Sequence, residues 1–174
     1  RDYNSGDQAG VGYFQRTIRN GKRVSAAVAF LRPAMQRDNL EVRTNARASR
    51  ILFDGKRAIG VEYVSAPGAP PREARARREV ILSAGTVNTA RLLQISGIGP
   101  AEHLKSIGAP VVLDSPGVGA NLIDHYVIRI SHRVKDQVSL NNLARGPRVV
   151  AETIRYVVTG KGALTMGVTS AQVF

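Results

Sequence analysis

The sequence has 174 residues, enough for one ordinary domain, and its 43% hydrophobic and 22% charged residues are typical of a globular protein. Cysteine is absent, which excludes disulfides, thiolate metal sites and cysteine nucleophiles. Lys and Arg number 25 against 13 Asp and Glu, a net charge of +12. This excess favours a polyanionic partner, or an Arg-rich surface whose acidic counterpart lies outside this sequence.

No apolar run is long enough to span a membrane and no secretory leader is visible, so we expect a cytoplasmic location, with peripheral membrane association left open. The sequence begins with Arg1 rather than Met and ends at Phe174 in a strand-like run without a terminator. We therefore expect an internal segment of a longer protein.

The first forty residues predict little regular structure. Residues 1–24 are polar and Gly-rich and indicate a loop with one or two short strands. Ser25 to Leu31 predicts a helix with Ser25 as its N-cap and Pro33 limiting its end. Asn39 to Thr44 predicts a short strand.

An antiparallel meander is predicted next. Ala48 to Phe53 and Ala58 to Val64 indicate two strands, and Asp54-Gly55 between them is a hairpin-turn dipeptide. Arg72 to Arg78 alternates Arg with small residues, which predicts a strand with Arg75 and Arg77 on one face. The apolar run Glu79 to Leu82 predicts a further strand.

The second half predicts short helices and strands. Thr86 to Ile95 indicates a helix with Leu92 and Leu93 on its apolar face, ended by Gly97 or Gly99. The remaining predictions are a helix starting at Pro100 and closed by Gly108, a strand at Val111–Leu113, a loop at 115–125, a strand at 126–134 and an amphipathic helix at 148–157.

Several familiar motifs are incomplete. Gly97-Ile-Gly99 and Gly117-Val-Gly119 each begin like a dinucleotide fingerprint, but both lack its third glycine. His103, His125 and His132 have no partner at zinc-ligand spacing, and no nucleophile elbow presents a serine. We therefore interpret His125, beside Asp124, as a structural histidine or one that acts behind a ligand-contacting residue.

The basic run from Arg72 to Arg78 leaves two interpretations open. Arg72, Arg75, Arg77 and Arg78 could contact phosphates, which would make the chain a basic nucleic-acid-binding module. A solvated strand face is the other interpretation, and we favour it because neither a helix nor an aromatic residue accompanies the run.

The segment Ser83-Ala84-Gly85 lies between a predicted strand and a predicted helix. Small residues there let the backbone approach a flat ligand, and α/β sheets bind cofactors at the carboxyl ends of their strands. The residues alone therefore support the hypothesis of a cofactor wall at 83–85.

Longer stretches resemble a known family. Gly85-Thr86, Thr89, Leu92-Leu93 and Ser96 to Gly99 match the second motif of the glucose–methanol–choline (GMC) flavin oxidoreductases, except that Ala90 stands where Pro or Ser is usual. Two flanking stretches agree in order and spacing, namely Gly21 to Ala34 and Asp114 to His125. The resemblance covers about residues 10–130 strongly.

This resemblance implies a mixed α/β fold, in which residues 1–122 form part of a Rossmann-like FAD-binding domain with an antiparallel meander and residues 123–174 begin a substrate domain. It implies FAD as cofactor and hydride transfer from a choline-like or other primary alcohol. The cofactor-binding residues it implies are Ala48, Ser83, Ala84, Gly85 and Asn121, with Asp124 and His125 as weaker candidates.

The catalytic histidine of the family and the N-terminal dinucleotide fingerprint have no counterpart here, so the resemblance implies no catalytic residue within this sequence. It also leaves open which alcohol is oxidised, whether oxygen or a quinone-type acceptor reoxidises the flavin, and the oligomeric state.

Overall fold

The structure, a computed structural model, describes residues 6, 10–13, 15–126, 128, 135–165 and 171–173. It contains two compact units, Val42–Ile128 and a second unit made of Arg1–Glu41 with Arg129–Phe174. The predicted division of a complete enzyme at 122/123 concerns its FAD-binding and substrate domains, and it stays a prediction.

An antiparallel meander opens the unit Val42–Ile128. Strands β4 (Arg47–Asp54), β5 (Arg57–Val64) and β6 (Arg72–Arg75) pair in that order. The hairpin turn falls at Gly55-Lys56, one residue later than predicted, because Asp54 still pairs with Arg57. Gly55 has φ +57, a value that glycine adopts without strain. The predicted mixed α/β class with a meander is confirmed.

Two helices and a small parallel sheet follow the meander. Helix α2 (Thr86–Ile95) has its predicted bounds, and the chain turns away from it at Gly97, which has φ +97. Strand β7 (Ile98–Gly99) leads into helix α3 (Ala101–Ser106). Strand β8 (Leu113–Asp114) pairs with β7 and begins two residues later than the predicted strand.

A small core holds α2 and α3 against the meander. Leu104 is completely buried, and Ile51 and Leu92 are nearly so, whereas Val87 on α2 is exposed. The buried Ser96 hydroxyl accepts a hydrogen bond from the Ile51 N–H at 2.8 Å and donates one to the Leu92 carbonyl at 2.5 Å. The Ser96 hydroxyl thus provides an acceptor for a backbone N–H on the free edge of β4, and this bond fixes the end of α2 on the sheet.

Two strand predictions are wrong. Asn39–Thr44 and Glu79–Leu82 are not strands, and no described strand pairs with either of them. Leu40 and Ile81 are correspondingly exposed. An apolar run becomes a strand only where a neighbour accepts its backbone hydrogen bonds. The third difference is β6, which ends at Arg75, so that Arg77 lies in a bend rather than on the strand face predicted for it.

The second unit combines short sheets with helices. Strands β1 (Val11–Tyr13) and β9 (Ala171–Val173) pair antiparallel, as do β2 (Ile18–Arg19) and β3 (Lys22–Arg23). Its helical segments are a π-helical turn at Ala27–Leu31, α1 (Arg32–Ala34), α4 (Leu140–Leu143), α5 (Pro147–Thr159) and a 3₁₀ turn at Ala163–Thr165.

Two predictions in this unit are confirmed. The Ser25 hydroxyl accepts a hydrogen bond from the Val28 N–H at 3.3 Å at the start of the first helical segment. The amphipathic helix predicted at 148–157 is α5. The strand predicted at 126–134 falls mostly outside the described residues. Among the residues that the structure describes, no helix is long and apolar enough to cross a membrane.

Candidate functional site

The corner between the meander and α2 is open. Ser83, Ala84 and Gly85 are exposed, and Gly85 has φ +85. A Cβ added at Gly85 would meet no atom within 4 Å. Because glycine permits this backbone angle and leaves no side chain at the corner, a planar ligand can approach the backbone closely.

Helix α2 points its N-terminal end at the same corner. Gly85 precedes the first helical residue and no side chain caps the helix there. The first backbone N–H groups of a helix have no intrahelical acceptor, and their partial positive charge favours a phosphate. The corner therefore offers both an approach to the backbone and donors for an anionic group.

Two cavities flank this corner. The first, which we call the strand cavity, has a volume of about 430 Å³ and lies between β4, the corner and α2. The side chains that line it are small at Ala48, Ser49 and Ala84, and they are apolar at Leu92 and Ile95 near the end of α2. It is lined by Arg47, Ala48, Ser49, Ala84, Asn88, Arg91, Leu92 and Ile95.

The second cavity, which we call the loop cavity, is an open groove of about 1150 Å³ between α2 and the loop 117–123. Ser83, Gly85 and Asn121 line it, so the five predicted cofactor-binding residues divide between two adjoining spaces. Asp124 and His125 are exposed and line neither cavity. The Asp124 carboxylate accepts a hydrogen bond from the His125 backbone N–H at 2.7 Å.

A side-chain amide holds the loop that carries Asn121. Gln94 Nε2 on α2 donates a hydrogen bond to the Val118 carbonyl at 3.0 Å. Gly119, with φ +83, packs directly on the Gln94 amide. Asn121 has φ +57, a left-handed backbone conformation that asparagine adopts more readily than most non-glycine residues.

An ion pair lies behind the strand cavity. The Glu62 carboxylate accepts a hydrogen bond from Ser49 Oγ at 2.7 Å and two from Arg50, from Nε at 3.1 Å and Nη2 at 2.8 Å. The hydrogen bond from Ser49, and then that from Arg50, lower the pKa of Glu62 below its usual range. Glu62 is therefore ionised at neutral pH.

Sequence reasoning missed part of the site. Asn88, Arg91 and Ile95 line the strand cavity, and they follow one another at the spacing of a single helix face. That periodicity was available once the helix at 86–95 was predicted. Ser49 could not be found in this way, because its position depends on an irregularity in β4.

Other chemistry finds little support in the described residues. No group of three His, Asp or Glu side chains there could hold a metal ion. Arg75 is paired with Glu73 at 2.6 Å, and Arg57 donates to the Arg77 carbonyl at 3.4 Å. Nothing in this arrangement favours the nucleic-acid-binding alternative.

The fold and the open corner define the class of site: an α/β structure whose exposed backbone and uncapped helix terminus border an open groove, an arrangement typical of nucleotide-cofactor sites. Comparisons with known proteins carry the assignment further. Residues 1–127 match the GMC oxidoreductase family model, so the chain belongs to the GMC oxidoreductase family.

Two sequence relatives and one solved structure illustrate the relationship. The chain is 43% identical over 164 residues to the mitochondrial choline dehydrogenase of Homo sapiens, an alignment covering 93% of this chain and 27% of that protein. It is 46% identical over 140 residues to an oxygen-dependent choline dehydrogenase of Pseudomonas putida, covering 80% and 25%. An FAD-dependent oxidoreductase from Chaetomium thermophilum superposes with a TM-score of 0.80 at 28% identity, covering 92% and 29%.

The chain thus spans less than a third of the length of these relatives. The predicted family is confirmed, and the structural relative named above is FAD-dependent.

Proposed function

We propose that this chain is part of an FAD-dependent enzyme that oxidises a choline-like or other primary alcohol. In this proposal residues 1–122 belong to the FAD-binding domain and residues 123–174 begin the substrate domain. The proposal includes a cytoplasmic location. The observation that carries the proposal of an FAD-dependent enzyme is the unfilled corner at Ser83-Ala84-Gly85, at the uncapped start of α2, in a chain of the GMC family.

The residues around the corner suit the dinucleotide. The small side chains of Ala48 and Ala84 leave room in the strand cavity for a planar ring, and Gly85 leaves the backbone accessible. The first N–H groups of α2 suit a phosphate or ribose oxygen. On the other side, Ser83 and Asn121 supply polar groups to the loop cavity.

Within the proposed reaction this chain binds and orients, and it supplies no acid or base. FAD, when bound, accepts the hydride that leaves the alcohol carbon. The alcohol proton goes to a base outside residues 1–174, which the family resemblance implies to be a histidine. Backbone groups at 83–85 and on the first turn of α2 hold the nucleotide part of the cofactor. The distance between flavin and alcohol is fixed by other parts of the enzyme.

The test is made on the intact enzyme. Mixing it with choline, and separately with other primary alcohols, under anaerobic conditions should bleach the oxidised flavin absorbance. Admitting oxygen or a quinone then shows which acceptor restores that absorbance. An intact protein that holds no flavin after reconstitution, or a flavin that no alcohol reduces, would refute the proposal.

A matched pair of glycine variants tests the corner itself. Gly85→Leu and Gly55→Leu both place a side chain at a positive φ with open space around it. Gly85 has φ +85 and ψ +167, a backbone region nearly restricted to glycine, so Gly85→Leu carries the larger backbone strain. Gly85→Ala carries that same strain without the long side chain and is therefore measured alongside, and only Gly85 lies at the cavities. We expect Gly85→Leu to lower FAD affinity by about tenfold or more, which corresponds to roughly 1.4 kcal/mol. FAD affinity in Gly55→Leu should stay near that of the parent enzyme, and Gly85→Ala should lose less affinity than Gly85→Leu. Equal losses in Gly85→Ala and Gly85→Leu would contradict a cofactor wall at 83–85.

A further inference from the structure

Strand β4 is irregular at the point where it borders the strand cavity. Ala48 pairs with Tyr63 and Arg50 pairs with Glu62, so Ser49 between them has no partner on β5. Ser49 is thus the extra residue of a β-bulge. A bulge releases the backbone groups of the extra residue from the ladder and turns the strand locally.

The bulge is held by side chains. Ser49 Oγ donates to Glu62 Oε1, while Arg50 binds the other oxygen, Glu62 Oε2, through both Nε and Nη2. Only 16% of the Glu62 side chain is exposed. One carboxylate therefore fixes the extra residue of the bulge and the residue that follows it, and charged hydrogen bonds of this kind are stronger than neutral ones.

The position of the bulge relates it to the proposed site. Ala48 and Ser49 form the wall of the strand cavity opposite Ala84, whereas Glu62 is not among its lining residues. Released backbone groups at this wall can bond to the edge of a heterocyclic ring, which has both donors and acceptors. A regular ladder at the same place would engage those groups with β5 instead.

We propose that Glu62 is a positioning residue, which acts through Ser49 and Arg50 to hold the bulge that shapes the strand cavity for a ring of the dinucleotide. This inference rests on the proposed function. Glu62 does not touch the cofactor. Its effect reaches the cofactor through the backbone of Ala48 and Ser49.

The experiment compares FAD binding to the apo form of the intact enzyme and of its Glu62→Ala and Ser49→Ala variants. We expect each variant to raise the dissociation constant for FAD about tenfold, the size of one lost charged hydrogen bond. The double variant should bind FAD no more weakly than the single variant with the larger loss of affinity, since the two residues act as one link.

A second carboxylate of similar burial provides the control. Glu152 on α5 is 15% exposed, pairs with Arg155 and lines neither cavity, so Glu152→Ala removes a comparable ion pair on a different element. The melting midpoint of each apoenzyme and the KM for the alcohol at saturating FAD are measured alongside. A positioning role changes the FAD affinity and leaves the alcohol KM unaltered.

Three outcomes would overturn the inference: unchanged FAD affinity in Glu62→Ala and Ser49→Ala, an equal loss in Glu152→Ala, or a loss that only follows a fall in the apoenzyme melting midpoint. The failure of the proposed function is distinguishable, because in that case the parent enzyme itself would hold no FAD.

Discussion

At the scale of single residues, Glu62 shows how one carboxylate couples charge to local geometry. Hydrogen bonds from Ser49 and Arg50 lower its pKa, so the folded state favours the ionised form more than the unfolded chain does. The stabilisation is complete above the ordinary value of 4.5 and is lost as the pH falls through the lower pKa of the folded state. The contribution of Glu62 to the free energy of unfolding is therefore lost in acid.

The corresponding prediction concerns Glu62→Gln. The parent protein should lose stability more steeply than the variant as the pH falls below 4.5, because the glutamine has no proton to take up. Urea midpoints measured at a series of pH values would show the two curves converging in acid. Curves that stay parallel over that range would contradict the role given to this carboxylate.

At the scale of elements, the attachment of α2 to β4 depends on Ser96. Ser96→Ala leaves the Ile51 N–H without its hydrogen bond in a buried position. We expect a loss of about 1–3 kcal/mol in the free energy of unfolding. Ser106→Ala is the matched control, since its hydroxyl bonds to the His103 carbonyl at an exposed site and should change stability by less than about 0.5 kcal/mol. Similar losses in both, measured by urea unfolding, would show that the link between α2 and β4 is unimportant.

The loop that carries Asn121 gives a second prediction for an element. Gly119→Ala adds a methyl group at φ +83 against the Gln94 amide, which must then release the Val118 carbonyl. We expect a cost of about 1–3 kcal/mol in unfolding free energy. Gly108→Ala, at φ +71 with open space around it, carries the backbone strain alone and should cost less. If urea unfolding gave the same result for both glycines, Gln94 would not hold the loop.

The elements also show what sequence could predict. Strands β4 and β5 and helices α2, α3 and α5 follow from local patterns, since each brings its own partner or its own hydrogen bonds. The strands predicted at 39–44 and 79–82 depended on neighbours that no described segment supplies. The family motif predicted the corner at Gly85, but a β-bulge leaves no mark in the sequence, so the role of Ser49 emerged only from the pairing register.

At the scale of the whole molecule, many apolar side chains are exposed. Among the hydrophobic side chains whose burial the structure describes, only those of Ile51, Leu92 and Leu104 are buried. Helix α5 presents an apolar row, with Val150 and Ile154 each 58% exposed and Val157 75% exposed. Such a continuous apolar row is typical of a helix that packs against another surface. The chain spans less than a third of the length of its relatives, and the proposed function predicts that polypeptide outside residues 1–174 covers this row.

The last prediction follows from this row. Val157→Asp in the intact enzyme should lower the free energy of unfolding by at least about 1.5–3 kcal/mol, since it removes a buried apolar side chain and places a charge there. Thr159→Asp is the control: it adds the same charge to the last turn of α5, so both variants share the unfavourable interaction with the helix dipole. The Thr159 hydroxyl bonds to the Arg155 carbonyl at an exposed position, and its loss should cost much less. Melting midpoints of the flavin-loaded variants measure the difference, and equal shifts would mean that the apolar face of α5 stays in water in the complete enzyme.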